Sequence, residues 1–166
     1  NADGDMFGGG AVLVEADGDI LVNSKADLTA EASGGILAVS NSGDVTITSL
    51  GDIVAAGDLA SPGHHSGIKV AAETGKASIQ VDGGVSVAGD DAAAVEADAV
   101  EIDLNIAGSV SATGQNGDGI RVTSSGPAYS HATISGDVLG GWDDVARHDN
   151  GAAGLDASLY GAVVTI

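Results

Sequence analysis

GILAVSNSGDVTITSLGDIVAAG, from Gly35 to Gly57, is the stretch of sequence that decides the fold. Within it, three short runs carry apolar residues at every second position: Ile36 to Val39, Val45 to Thr48 and Ile53 to Ala55. This is the period of a β-strand, whereas a helix would repeat its apolar residues about every 3.6 positions. The segments between the runs hold Ser, Asn, Gly and Asp, which tolerate sharp bends. The stretch therefore predicts a unit of three strands and three corners.

The same unit recurs along the chain. Its starts are predicted at Gly10, Gly35, Gly67, Ala94, Gly119 and Gly154, which makes five complete units and a partial sixth. The first two units align without a gap, GAVLVEADGDILVN from Gly10 over GILAVSNSGDVTIT from Gly35. A chain in which each unit contacts only its neighbours is a solenoid. The prediction is one domain, residues 1–166, of the all-β class with three parallel sheets.

Stacking the units predicts one column of inward-facing residues for each sheet, and every predicted member is apolar. The first column is Ala11, Ile36, Ile68, Val95, Ile120 and Leu155, the second is Ile20, Val45, Ala77, Ile102, Ala132 and Val164, and the third is Leu28, Ile53, Val85, Val110 and Val138. At about 4.8 Å per unit, five units make a rod about 24 Å tall.

The outward column of the first sheet is predicted to alternate in charge over its last four members, so that like charges do not stack. Its members are Val12, Leu37, Lys69, Glu96, Arg121 and Asp156.

The largest insertions fall in the third corner of a unit, at residues 58–66 and at residues 142–153, while the strands keep their spacing. Insertions of this kind emerge as loops on one edge of a solenoid. Specific recognition is therefore predicted to lie in these two loops.

Composition excludes several partners. The formal net charge is −19, from 24 acidic and 5 basic residues, so nucleic acid and anionic membrane surfaces would be repelled. One Trp, one Phe and two Tyr suit a narrow interior of aliphatic side chains, and the lack of Cys removes disulfides and thiolate chemistry. There is no apolar run of membrane-span length, no signal peptide and no initiator Met, which favours a removed leader or an excised piece.

Four phrases, GDVTITSLGDIVAAG, HHSGIKVAA, GGVSVAGDDAAAV and GSVSATGQNGDGIRV, resemble the repeats of large Gram-negative autotransporter passenger domains. The resemblance covers roughly Gly10 to Gly141. It implies a right-handed parallel β-helix displayed at the bacterial cell surface, with a parent protein anchored in the outer membrane. Because the chain holds no translocating barrel and stops inside a unit, the resemblance implies an internal fragment or a processed passenger.

Asp19, Asp44, Asp52 and Asp137 each follow a Gly and precede a strand. A row of carboxylates is compatible with Ca²⁺ binding or paired acid chemistry, but recurrence at equivalent corners favours turn chemistry, with each Asp side chain bonded to nearby amides. The segment GQNGDGI, Gly114 to Ile120, meets the pattern of a calcium-binding nonapeptide repeat only once, and no Lys follows it as a phosphate loop requires. No metal and no cofactor is predicted.

Two loop clusters carry potential metal ligands. His64 and His65 lie in the first insertion, and Asp143, Asp144, His148 and Asp149 lie in the second. Three units, about 14 Å, separate the loops, and neither loop has the ligand spacing of a zinc site. Solvated loop histidines are the favoured interpretation, with adventitious metal binding as the alternative.

Trp142 begins the longest insertion and is flanked by Asp143, Asp144 and Arg147, with His148 next to them. An exposed Trp beside carboxylates and an Arg suits a patch that binds a sugar or a protein. The favoured alternative is that Trp142 folds over the flank of the rod or covers the end of the stack.

Tyr129 and Tyr160 fall in the first corners of neighbouring units and are expected to stack on each other.

No Ser, His and Asp set converges on one face, so the chain is predicted not to be an enzyme. The predicted function is a structural or adhesive segment of a bacterial surface protein, which presents loops to a surface protein or a glycan. One alternative is self-association through unit ends or strand edges. Another is a carbohydrate-binding or polysaccharide-degrading β-helix protein, which the shortage of basic residues disfavours for acidic sugars.

Overall fold

The computed structural model describes residues 10–31, 34–56, 65–127, 129–141, 154–159 and 163–166. Within these ranges all regular secondary structure is β-strand, and every strand pairing is parallel. The strands are β1 (Gly10–Ala16), β2 (Ile20–Ser24), β3 (Leu28–Ala30), β4 (Gly34–Ser40), β5 (Val45–Ser49), β6 (Ile53–Ala56), β7 (Ser66–Val81), β8 (Val85–Ala88), β9 (Ala93–Ile106), β10 (Val110–Ala112), β11 (Asp118–Ser124), β12 (His131–Ile134), β13 (Val138–Leu139), β14 (Leu155–Ser158) and β15 (Val163–Thr165).

These strands form three parallel ladders in two sheets, a ten-stranded sheet that holds the first two ladders and a five-stranded sheet. The predicted three separate sheets are therefore wrong, because β7 and β9 run on from the first ladder into the second. The first ladder is β1-β4-β7-β9-β11-β14, the second is β2-β5-β7-β9-β12-β15, and the third is β13-β10-β8-β6-β3. The long strands β7 and β9 belong to the first two ladders at once, with a register irregularity in β7 between Ala72 and Lys76. Successive passes of the chain thus visit the ladders in the same order, and the last described strands, β14 and β15, belong to the first two. The fold is all-β with parallel sheets and is consistent with a β-solenoid.

The predicted third column is confirmed throughout, because Leu28, Ile53, Val85, Val110 and Val138 pair in succession. The first column is confirmed from its second member onward by the successive pairs of Ile36, Ile68, Val95, Ile120 and Leu155. Its four central members are at most 1% exposed. The core therefore lies between the ladders and is made almost wholly of Ile, Val, Leu and Ala.

The gapless alignment of the first two units is wrong in the first strand. Val12, not Ala11, pairs with Ile36, and Gly10 pairs with Gly34. The reason is that three residues, 17–19, link β1 to β2, whereas four residues, 41–44, link β4 to β5. A shift of one residue exchanges the two faces of a strand. Val12 consequently packs against the core, and Leu13 takes its predicted place in the outward column beside Leu37.

The second column is wrong at its fifth position. Ala132 pairs with Leu104, not with Ile102, although its pairing with Val164 is confirmed. The fully buried Ser130 lies beside Ile102 instead, and its Oγ accepts a hydrogen bond of 3.1 Å from the Ile102 amide. A shift of two residues keeps the same face of the strand inward, so the apolar alternation alone does not reveal it.

Candidate functional site

The two predicted loop patches lie almost entirely outside the described residues. Trp142, Asp143, Asp144, Arg147 and His148 belong to this part of the chain, and so does His64. The described flanks show that both insertions connect the third ladder to the first, from β6 to β7 and from β13 to β14. The proposed binding role of these residues therefore stays a prediction.

His65 is the one predicted loop residue that the structure describes. It directly precedes β7 and is half-buried, and its Nε2 atom is buried with no hydrogen-bond partner among the described residues. The imidazole of His65 is therefore only partly solvated, which departs in part from the predicted solvated loop histidine.

A polar cluster follows His65 on the outer face of the first ladder, and we call Ser66, Lys69, Glu96, Asp118 and Arg121 the ion cluster. Parallel pairing brings these residues together, because Lys69 pairs with Glu96 and Glu96 pairs with Arg121. The Lys69 Nζ lies 3.0 Å from one carboxylate oxygen of Glu96. The Ser66 hydroxyl donates to the other carboxylate oxygen over 2.6 Å.

The other half of the ion cluster is the ion pair between Arg121 and Asp118. Its Nε and Nη2 donate to Oδ2 of the buried Asp118 over 2.7 and 2.6 Å. Its terminal nitrogens also reach the Asp91 carbonyl at 3.5 Å. Asp91 has a left-handed backbone with φ of 58°, as does Asn116 with φ of 54°. Arg121 thus ties the first strand of one unit to the corner that precedes the unit before it.

The charge state of Glu96 follows from its surroundings. Burial opposes ionisation most strongly, but the hydrogen bond from Ser66 and the charge of Lys69 outweigh it, so the pKa of Glu96 lies below its ordinary value. A carboxylate of lowered pKa is a weak base. Glu96 is therefore poorly suited to remove a proton from the Ser66 hydroxyl, which donates a hydrogen bond to it. The geometry suits the attachment of neighbouring strands better than proton transfer.

A second ion pair links β7 to β9 on the second ladder. The Lys76 Nζ lies 2.8 Å from Glu101 and 3.5 Å from Asp103. The hydrogen bond to Glu101 is the largest cause that raises the pKa of Lys76, and it outweighs partial burial. This pair is about one-third exposed, so its contribution to stability is small.

The Gly-Asp corners have a structural role, but their hydrogen-bond partners differ from those predicted. Oδ1 of Asp19 accepts from the Asp44 amide over 3.0 Å, and Oδ1 of Asp44 accepts from the Lys76 amide over 2.8 Å. Asp52 likewise accepts from the Gly84 amide over 2.7 Å. Each amide belongs to the next unit and not to the same turn. These carboxylates therefore join units, while no hydrogen bond of the Asp137 carboxylate is found within the described ranges.

Among the residues that the structure describes, no group of three or more His, Cys, Asp or Glu side chains is placed to hold a metal ion.

The structure also reveals a surface feature that the sequence analysis did not identify. Six outward residues of the second ladder pair in unbroken register, and we call them the amide-hydroxyl column: Asn23, Thr48, Gln80, Asn105, Thr133 and Thr165. The available signal was a polar residue directly after an inward apolar residue on each strand of the second ladder, which becomes visible once the strands are aligned.

Tyr129 lies four residues before the column member Thr133 and is 71% exposed. Its predicted stacking partner, Tyr160, lies outside the described residues, so the predicted pair stays a prediction.

Comparisons of the chain with protein-family models, with curated proteins and with solved structures found no significant match. The described part of the chain contains no candidate membrane-spanning helix.

Proposed function

We propose that this chain is a non-enzymatic structural or adhesive segment of a bacterial surface protein. In this proposal it forms a right-handed parallel β-helix of five complete coils and a partial sixth, in which the insertions are displayed on one edge. The resemblance of its repeats to autotransporter passenger domains is the source of the handedness, the surface location and the outer-membrane anchor of the parent protein.

The observation that carries the proposal is the unbroken register of the three ladders. Each pass of the chain pairs with the next in the same order, whereas the lengths of the connections differ. Repeating strands with variable connections are typical of a scaffold that carries function in its loops.

The contacts between units support a rigid scaffold. Corner carboxylates accept hydrogen bonds from backbone amides of the following unit. The ion cluster links β7, β9 and β11 on the outer face. Such contacts add side-chain hydrogen bonds and ion pairs to the backbone hydrogen bonds that join neighbouring units.

Surface location is tested by antibody labelling of the organism that encodes the chain. An antibody raised against the folded chain should label intact cells. Labelling that appears only after the cells are permeabilised would contradict the proposed location.

The loop-display role is tested by replacement of residues 142–153 with a Gly-Ser linker. We expect the circular dichroism spectrum and the thermal unfolding temperature to stay close to those of the parent chain, while binding to immobilised fibronectin is lost. A second variant replaces residues 57–64, in the other insertion, in the same way. Binding of the parent chain that is unaffected by both replacements would refute the role of the insertions.

Self-association is a second candidate, favoured by exposed apolar side chains on the last described strand. Val163 is 54% exposed and Val164 is 42% exposed, and β15 pairs with β12 on one side in the described part of the chain. Exposed apolar side chains on a strand favour contact with a second copy. Sedimentation velocity over a wide concentration range tests this, and a strictly monomeric protein would rule it out.

A further inference from the structure

The amide-hydroxyl column concentrates one kind of side chain on one face. In the described residues, every Asn or Gln that belongs to a β-strand lies in it: Asn23, Gln80 and Asn105. The described amide residues outside the strands lie in corners, where Asn41 donates to Asp17 and Asn116 donates to Asp91. Carboxamide side chains are therefore concentrated in this column and absent from the other strand positions of the described residues.

The side chains of the column keep most of their hydrogen-bonding capacity for an external partner. Gln80 donates to Asp82, and no other side-chain hydrogen bond of the column is found within the described ranges. Five of its members are exposed, and Thr48 is half-buried. Hydroxyl and carboxamide groups both donate and accept hydrogen bonds, so the column presents a row of groups that can act in either direction.

The row is regular and carries no charge. Its six members pair in register, so at about 4.8 Å per step it extends for about 24 Å. The parallel outward row beside it is mixed, with Thr46, Ser78, Asp103 and His131 at its centre. Tyr129, an exposed aromatic residue, precedes His131 of this mixed row by two residues.

We propose that this face binds a neutral, hydroxyl-rich glycan chain laid along the column. Sugar hydroxyls donate and accept in the same way as the amides and hydroxyls of the column, and no ion has to be desolvated within the row. A periodic ligand can engage several steps at once, so individually weak hydrogen bonds add up through multivalency. The net charge of −19 repels anionic polysaccharides, so the ligand class is neutral.

This inference rests on the adhesive role proposed above but places the contact on the second ladder and not in the insertions. A protein ligand is disfavoured because the column lacks the Trp, Tyr and Arg anchors that dominate protein interfaces.

Affinity electrophoresis tests the proposal with the full chain. The acidic protein migrates through native gels that contain hydroxyethylcellulose, galactomannan or a soluble β-1,3-glucan as neutral probes, with polygalacturonate as the anionic probe. We expect at least one neutral probe to retard the chain and polygalacturonate not to retard it.

The variant that removes the column is Thr48→Ala, Gln80→Ala and Asn105→Ala together. Its matched control is Thr29→Ala, Ser86→Ala and Ser111→Ala, which changes three outward polar residues of the third ladder. Loss of three neutral hydrogen bonds should weaken the apparent affinity by about tenfold or more, whereas the control should retain the affinity of the parent chain.

Two results would overturn the proposal. One is that none of the three neutral probes retards the parent chain, and the other is that the column variant and its control are retarded equally. The circular dichroism spectrum of each variant is recorded alongside. A folded parent chain that no neutral probe retards overturns the glycan site alone, since the scaffold and the loop-display role are tested by the separate experiments above.

Discussion

Glu96 is the residue at which burial, charge and hydrogen bonding act together. Its carboxylate is held by Lys69 on one oxygen and by Ser66 on the other. The alternation of charge along the outward column predicted the pair with Lys69 from sequence. The contribution of Ser66 was not predictable in that way, because it depends on which side-chain rotamers meet across two strands.

The first prediction is that Glu96→Gln lowers the free energy of unfolding at neutral pH by about 2 kcal/mol, since a charge-assisted hydrogen bond and an ion pair are lost. Chemical denaturation measures the change. Glu73→Gln is the matched control, because Glu73 is exposed and has no ion-pair partner in the described part of the chain; it should change stability by less than about 0.5 kcal/mol. Equal effects of the two variants would contradict the role of the ion cluster.

The second prediction concerns the pH dependence of this difference. The folded-state pKa of Glu96 is lowered from 4.5, so its stabilising effect is fully present above pH 4.5 and is lost as the pH falls through the folded-state pKa. The parent chain and Glu96→Gln should therefore converge in stability below pH 4.5. Denaturation curves of both proteins over the acidic range measure this, and a constant difference at all pH values would refute it.

Corners are the elements that set the register between units. In one of them, an added Cβ at Gly108 would overlap the carbonyl oxygen of Gly83 in the preceding unit. At Gly18, by contrast, an added Cβ would meet no atom within 4 Å. The Gly content of the corners thus reflects close stacking at some positions and only turn preference at others, and the sequence alone does not separate the two.

The third prediction compares these two glycines. Gly108→Ala should destabilise the protein by about 1–3 kcal/mol, because the backbone of Gly83 has to move to make room. Gly18→Ala should change stability by less than about 0.5 kcal/mol. Thermal unfolding of both variants provides the measurement. A harmless Gly108→Ala substitution would mean that the corners are not in close contact.

The register of β1 gives the fourth prediction. Val12 packs against the core and Ala11 is exposed, which is the reverse of the faces predicted from sequence. Val12→Lys should therefore lower the free energy of unfolding by about 1–2 kcal/mol, while Ala11→Lys should change it by less than about 0.5 kcal/mol. Chemical denaturation distinguishes the two registers, since the register predicted from sequence requires the opposite ranking.

At the scale of the whole molecule, charge is the dominant feature. The chain carries 24 acidic and 5 basic residues, so repulsion among carboxylates opposes the folded state. The ion pairs found in the described residues involve only Lys69, Lys76 and Arg121 as cations. Screening by salt should therefore remove more repulsion than attraction.

The fifth prediction is that the thermal unfolding temperature rises between about 20 mM and about 500 mM NaCl, over which the Debye length falls several-fold. Differential scanning calorimetry measures the change, with sucrose as an uncharged additive for comparison. An unfolding temperature that falls with added NaCl would show that the few ion pairs outweigh the general repulsion.

The sequence by itself determined which residues face inward over most of the chain, the three-strand composition of each unit and the whole third column. It did so because the period-two alternation of a strand depends only on local order along the chain. The position of Ser130 beside Ile102 and the one-residue shift of β1 required the tertiary structure, because alternation does not detect a shift of two residues and does not count the residues that a corner needs. The tertiary structure also decides which backbone amides donate to the Asp side chains, since those amides belong to the next unit, 25 or more residues away. The amide-hydroxyl column became a continuous surface only when the ladders brought its six residues side by side.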